Sequence, residues 1–406
     1  MKQPVGVSRA EGLNYSPMEI MLRKNKEVAV QRRHPWVFSG AIYRKPDDIQ
    51  DGDTVEVVDA KGDFLAAGHY QNGSIAVRLL SFEKRNLNPG FWKERLHNAY
   101  ALRKQLGLGP GTDTTAYRLI HAEGDGLPGL IVDIYHQTAV MQCHSAGMYR
   151  NREMIAKAIA SLPGISVVYN KSVGTLQGFE SLNVKDGYLV KTGTVPAEVR
   201  ERGHKFLVNW ETGQKTGFFL DQRPNRALLG RYAASKSVLN TFSYSGGFSV
   251  YALAAGASKV VSVDVSAKAT DLVEANIAAN GFEAPHEAVT ADVLTYLQEN
   301  ETSYDIVVVD PPAFAKSQRK RHNAVQGYKR LNALALRRVK PGGLLFTFSC
   351  SQVVDKTLFD NTITAAALEV GRPVRVLHHL SQGPDHPVSI YHPEGSYLKG
   401  LVLEVG

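Results

Sequence analysis

The chain has 406 residues, 43% of them hydrophobic, two cysteines and a formal charge of +8 with a pI near 9.2. Such a length gives two or three domains, and the apolar fraction is ample for packed cores, which excludes a wholly disordered chain. Two cysteines exclude a disulfide framework, no run reaches the roughly 18 apolar residues of a membrane span, and the start lacks a secretory pattern, so a cytoplasmic protein with a polyanionic partner is expected.

The first block, to residue 88, alternates short β-rich runs with turn signals. The runs are Glu27–Val30, Trp36–Phe38, Thr54–Val58, Phe64–Ala67 and Ile75–Leu80, punctuated by Asp51-Gly52, Lys61-Gly62 and Asn72-Gly73. This predicts a small closed or nearly closed β-domain. Residues 89–196 follow as a second block. A connector helix over Pro89–Leu106 stops at Gly107, and a small α+β pattern comes next: strands at Leu130–Ile134, Thr138–Gln142, Val167–Tyr169 and Tyr188–Val190, and a helix near Arg150–Ser161.

From residue 197 to 406 strands alternate with helices, the pattern of a parallel sheet built from βαβ units. Strands are predicted at Val238–Phe242, Lys259–Asp264, Glu287–Thr290, Asp305–Val309 and Leu344–Phe348, with a helix over Lys268–Asn280 that Gly281 stops. The turn Phe242-Ser243-Tyr244-Ser245-Gly246-Gly247 joins the first strand to its helix. Asp264 ends the second strand, where a carboxylate can accept hydrogen bonds from a ribose diol, and Asp292 follows the third, within reach of an adenine amino group. A pyrophosphate needs three spaced glycines and only one adjacent pair is present. S-adenosylmethionine, a nucleoside cofactor without phosphates, therefore fits better than NAD.

Two further strands end in chemistry. Asp310-Pro311-Pro312-Ala313-Phe314 follows the fourth, and Ser349-Cys350-Ser351 follows the fifth. A carboxylate and a thiol thus meet on the rim where open α/β sheets bind ligands, Cys350 as a nucleophile and Asp310 as the group that holds a flat, polar substrate. From Pro311 to Val354 no residue is acidic, while Lys316, Arg319, Lys320, Arg321, Lys329, Arg330, Arg337, Arg338 and Lys340 are cationic. The one-signed stretch reads as a phosphate-neutralising surface. Cys143 reads as a small buried hydrophobe. His121, His144 and the His378-His379 pair lack partners at ligand spacing, so no metal site is expected.

These residues, with Arg33–Ala41, Glu123–Leu130, Lys215–Arg223 and Tyr397–Gly400, resemble the bacterial large-subunit (23S) ribosomal RNA cytosine-C5 methyltransferases of the RlmI type, in order and over nearly the whole chain. The resemblance implies a multidomain α/β protein: an N-terminal β-barrel-like PUA domain for RNA, a small α+β middle domain, and a C-terminal Rossmann-like class I methyltransferase domain. It implies S-adenosylmethionine as cofactor, held by Phe242, Tyr244, Ser245, Gly246, Asp264, Asp292 and Asp310. Ribosomal RNA or a precursor particle would be the partner, contacted by Phe218, Gln222, Arg223, Pro311, Pro312, Phe314, Lys316 and Arg33, with Phe218 or Phe219 available to stack on a base. A monomer or homodimer is expected. Thiolate formation at Cys350 is expected to draw on neighbouring cations, and no second cysteine stands at Ala313-Phe314 to assist release. Two other readings stay open: a guanine-N7 or other nitrogen-directed methyltransferase, which needs no thiol, and a noncatalytic RNA-binding assembly factor.

Overall fold

The computed structural model describes residues 18–315 and 317–406; Lys316 lies outside them. Three large sheets succeed one another; the N-terminal one has its own core, while one apolar cluster runs from Ala116, Tyr135 and Val140 of the middle sheet to Val238, Val260 and Phe346 of the last. The N-terminal sheet comprises β1 (Met18–Leu22), β2 (Trp36–Phe38), β3 (Ile42–Arg44), β4 (Thr54–Val58), β5 (Phe64–Tyr70) and β6 (Ile75–Ser81), in the order β2-β6-β5-β4-β1-β3. Its core is built on Ile20, Leu22, Val55, Val57 and Val77; Ile20, Leu22 and Val55 alternate with more exposed neighbours along their strands. Glu27–Val30, expected as a strand, is instead part of a short helix, α1 (Val28–Gln31), because the amides of Gln31 and Arg32 bond the carbonyls of Glu27 and Val28. Val30 still reaches the core, which shows why β propensity alone misleads in so short a run.

The second unit opens with α2 (Pro89–Gln105), started by Pro89 at its first turn and by the Asn88 side chain, which accepts from the Phe91 amide. Strands β7 (Ala116–His121), β8 (Leu130–Tyr135), β9 (Thr138–Cys143), β10 (Val167–Asn170) and β11 (Gly187–Val190) form a sheet in the order β11-β10-β9-β8-β7, accompanied by α3 (Ala146–Arg150) and α4 (Arg152–Ala160). A two-stranded ribbon follows, β12 (Ala197–Glu201) paired with β13 (His204–Val208).

The third sheet holds seven strands. These are β14 (Ser237–Thr241), β15 (Lys259–Asp264), β16 (His286–Thr290), β17 (Tyr304–Val309), β18 (Val339–Ser349), β19 (Val374–Leu380) and β20 (Lys399–Val405), ordered β16-β15-β14-β17-β18-β20-β19. All five strands expected from the sequence are present and mutually parallel. Two more, β19 and β20, complete the sheet, and β20 runs antiparallel to both its neighbours. Helices α5 (Arg223–Gly230), α6 (Gly247–Ala254), α7 (Ala267–Asn280), α8 (Val293–Glu299), α9 (Arg321–Arg337) and α10 (Lys356–Val370) connect and cover it. Gly281 ends α7 at φ +66°, as the sequence suggested. The order reverses between β14 and β17, so the loops after these two strands face each other across the point where such sheets take ligands.

Among the described residues no helix is long and apolar enough to cross a membrane.

Candidate active site

The loop after β14 is built for close approach. Phe242, Tyr244 and Gly246 all have positive φ, +55°, +44° and +72°. Two non-glycine residues in this region are unusual, and the surrounding contacts hold them there. The Asp264 carboxylate accepts from the Tyr244 amide and the Ser266 amide, both at 3.0 Å, while the Tyr244 hydroxyl donates to the Gly217 carbonyl at 3.1 Å and accepts from the Gln214 amide at 3.1 Å. A Cβ on Gly246 would lie 2.9 Å from Val273 on α7, and one on Gly247 2.8 Å from the Arg226 side chain, so both serve packing of the chain on itself.

Asp292 caps α8, accepting from the Thr295 amide at 2.9 Å, and is exposed at the carboxyl end of β16. These residues fit S-adenosylmethionine. A strand-end carboxylate fixed by two amides suits a ribose diol, and the buried Ser243 hydroxyl of the same loop has no partner within the protein.

Asp310 and Cys350 follow β17 and β18, adjacent parallel strands in which Val309 faces Thr347. Ser349 and Ser351 are buried on either side of Cys350. Ser351 donates to the Ala315 carbonyl at 2.8 Å and so ties the thiol's loop to the Asp310-Pro311-Pro312 loop. Burial, reinforced by the charge of Asp221, pushes the Asp310 carboxyl up to about 7, against a hydrogen bond from Gln222 and the charges of Arg226 and Lys215. The Cys350 thiol is also raised, by burial first and then by Asp310. Cations were expected to lower it. Lys215 and Lys399 do act in that direction, but burial and two carboxylates outweigh them.

Asp221 is buried, takes the Tyr397 hydroxyl at 2.6 Å on one carboxylate oxygen, and leaves the other without a partner. Lys399 donates to the carbonyls of Ser351 and Tyr397, both at 2.8 Å. Lys215, Asp221, Tyr397 and Lys399 were given no individual roles in the sequence reading, although they fall inside the segments Lys215–Arg223 and Tyr397–Gly400 that carry the family resemblance.

Not every expected substrate residue reaches this opening. Phe218 is a core residue, packed on Phe206 at 4.8 Å between ring centres and covered by the Arg226 guanidinium at 4.8 Å. Phe219, half-buried and set edge-on to Tyr244 at 5.2 Å, is the ring that faces the loop after β14. Arg223 is buried in an ion pair with Asp385 at 2.8 Å and donates to the Ala116 carbonyl, so it braces the middle unit and is not free for RNA. Gln222 is buried beside Asp310, with its side-chain oxygen taking the Asn225 amide at 2.6 Å. Pro311 is buried and Pro312 exposed; Phe314 packs on Tyr328 at 4.5 Å. Arg33 is exposed on the N-terminal sheet, over the Phe82 ring.

The basic stretch is less one-signed in space than in sequence. Lys329 pairs with Glu369 of α10 and Lys340 with Asp305, while Arg338 donates to the Leu297 carbonyl. Arg319, Lys320, Arg330 and Arg337 remain exposed cations. Cys143 is fully buried and its thiol is pushed up to about 12 by burial, an inert packing residue.

A cavity of about 840 Å³ opens where the three units meet, lined among others by Trp36, His121, Glu123, Gln352, His392, Tyr397 and Lys399. Lys399 and Gln352 line this cavity, and Lys399 donates to the Ser351 carbonyl, so the cavity borders the loop that follows Cys350.

Comparison with known proteins agrees with this geometry. Residues 20–82 match the PUA-like domain family and residues 188–388 the S-adenosylmethionine-dependent methyltransferase family. A protein of Alteromonas mediterranea named ribosomal RNA large subunit methyltransferase I is 40% identical over 393 residues, 95% of this chain and 98% of its own length. One of the same name from Aeromonas salmonicida is 41% identical over 391 residues, again 95% and 98% of the two chains. Among solved structures, a Streptococcus mutans protein described as an S-adenosylmethionine-dependent methyltransferase superposes with a TM-score of 0.80 at 25% identity, over 95% of this chain and 100% of that one. A methyltransferase fold crystallised with SAH gives 0.82 at 24% identity, with the same coverage. With its cofactor loop, strand-end carboxylates and PUA-like domain, the chain belongs to the ribosomal RNA large subunit methyltransferase I family and is an S-adenosylmethionine-dependent methyltransferase.

Proposed function

We propose that this enzyme methylates carbon 5 of a cytosine in large-subunit ribosomal RNA, in the cytoplasm, through a transient bond from Cys350 to carbon 6 of the base. The RNA target is supported by the relatives' name and by the PUA-like domain, whose Trp36 lines the three-unit cavity. The observation that carries the choice of atom is the pairing of a thiol with a carboxyl group on adjacent strand ends, the carboxyl titrating near neutrality.

Carbon 5 of cytosine is a weak nucleophile, and a nitrogen target would need no thiol. The Cys350 proton passes to Asp310, and the thiolate sulfur adds to carbon 6. The displaced electron pair is delocalised onto N3, where the protonated Asp310 donates a hydrogen bond while its carbonyl oxygen accepts from the N4 amine. Carbon 5 is then nucleophilic. S-adenosylmethionine, when bound, supplies the electrophilic methyl group. Loss of the carbon-5 proton to a base re-forms the 5,6 double bond and expels Cys350 as thiolate. Lys215 and Lys399, which favour the thiolate, aid both its formation and its departure.

The test is trapping. Ribosomal RNA carrying 5-fluorocytidine should become covalently linked to the wild-type protein through residue 350 during turnover, because fluorine cannot leave as the proton does. Cys350→Ala should abolish both linkage and methyl transfer while still binding S-adenosylmethionine in titration calorimetry. Methyl transfer retained in Cys350→Ala would overturn the cytosine-C5 reading in favour of a nitrogen target.

A further inference from the structure

We propose that His34, His392 and Glu394 bind a zinc ion that fastens the PUA-like domain to the catalytic domain. His34 comes from the segment between α1 and β2, whereas His392 and Glu394 come from the connection between β19 and β20. One ligand atom from each lies within 4.8 Å of the other two, and His392 Nε2 is 3.8 Å from the Glu394 carboxylate. The cluster is empty in this structure.

His392 is the independent pointer. Its side chain is almost wholly buried, 3% exposed, yet neither ring nitrogen has a hydrogen-bond partner. An imidazole withdrawn from water with both nitrogens unmatched is costly, and a metal bond on one of them removes the cost on that side. The ring is held in place by the Trp36 indole, edge-on at 4.3 Å between centres, whose Nε1 donates to Glu123 of the middle unit at 2.9 Å. His34 is oriented as well. Its Nδ1 lies 3.2 Å from the Trp36 amide, which donates to it, and 3.3 Å from the Trp36 carbonyl; metal binding through Nε2 requires the tautomer with the proton on Nδ1, directed to that carbonyl.

Two imidazoles and a single carboxylate are too poor in oxygen for calcium or magnesium and match the nitrogen-rich set of a four-coordinate zinc ion. Zinc bonds of about 2.0–2.1 Å set ligand atoms roughly 3.3 Å apart, so the widest separation in this cluster must close by up to about 1.5 Å. Glu394, 58% exposed on a loop, can supply its share of that movement, and the partly exposed His34 the rest. The fourth position faces the large cavity and would take water.

Full-length protein, stripped with a chelator and dialysed, is titrated with zinc chloride by calorimetry, with metal content checked by elemental mass spectrometry. One zinc per chain is expected, with no competition from magnesium. His34→Ala and His392→Ala should each weaken binding at least tenfold, whereas His322→Ala and Cys350→Ala keep it. Circular dichroism in chelator checks that each variant folds; should His392→Ala fail, His34→Ala, at a partly exposed position, carries the comparison. Absence of zinc binding, binding undiminished in His34→Ala, or loss of binding in Cys350→Ala instead, overturns the site.

Discussion

Asp310 is kept in surroundings that penalise its ionisation, and the sign of that penalty can be measured. Its folded-state value near 7 lies above the ordinary 3.8, so the folded chain holds the proton more tightly than the unfolded one. The favourable contribution of the protonated group is complete at low pH and is lost as pH rises to about 7, beyond which no further change accrues. Asp310→Asn, which removes the charge, should therefore stabilise the protein by roughly 2 kcal/mol above pH 7, discounted for the partial exposure of the side chain, and by much less at pH 4. Urea denaturation at the two pH values checks this. Activity should behave differently. In the wild type the active pair carries one proton between Asp310 and Cys350, so kcat/KM should fall as pH drops below about 7, where both are protonated; in Asp310→Asn that limb should move up toward the thiol's own range. Both residues were legible in the sequence because each ends an apolar run at a small polar cluster. Phe219 was less so: adjacent aromatics in a turn give no period by which to tell the core-facing ring from the open one, and burial of Phe218 settles which is which.

At the scale of elements, the β14 to α6 turn depends on Gly246. Its φ of +72° is a left-handed conformation, and a methyl group there meets Val273 at 2.9 Å. Gly246→Ala should cost about 2 kcal/mol, from the 1–2 kcal/mol of the backbone conformation and the displaced contact with α7. Because the same turn holds Tyr244 against Asp264, weaker S-adenosylmethionine binding is expected with it, read by thermal denaturation and calorimetry. The five parallel strands were visible as apolar runs bounded by turns, since burial on both faces leaves little polar residue in them. β7 was hidden by Arg118, which is polar in sequence but pairs with Asp133 at 2.7 Å on the neighbouring strand. β19 was hidden too, because its alternation is interrupted at His378-His379. The basic run misled for a related reason: the carboxylates that answer Lys329 and Lys340 belong to other elements, and no local window contains both signs.

Across the whole molecule, one buried arginine–carboxylate pair of the middle unit and one of the catalytic unit are joined by hydrogen bonds that cross between the two units. Arg118 pairs with Asp133, and the Arg118 amide donates to Asp385 at 3.0 Å; Asp385 in turn pairs with Arg223, while Asp133 takes the Thr216 hydroxyl at 2.6 Å. The segment Thr216–Arg223, which carries Phe219, Asp221 and Gln222 to the site, is thus fixed from behind. Arg223→Met should leave a buried carboxylate short of its cation and cost about 3 kcal/mol, seen as a lower urea midpoint. Asp385 is held far below the ordinary carboxylate range, chiefly by His386 and Arg223 against the effect of burial, so its contribution is present above about pH 4 and lost on acidification; the wild-type advantage over Arg223→Met should shrink in acid. None of this network was legible from sequence, since its members stand far apart along the chain and each is polar where a core residue would be apolar.

The placement of β20 has a consequence for the order of assembly. It is not an edge strand but lies between β18 and β19, and it begins at Lys399, beside Cys350. During synthesis every earlier strand of that sheet can leave the ribosome with the slot still open, and the thiol then lacks its lysine and the segment bearing Tyr397. The surroundings of Cys350 are thus complete only once residues 397–405 have joined the sheet, so the chemical centre is among the last parts of this unit to form.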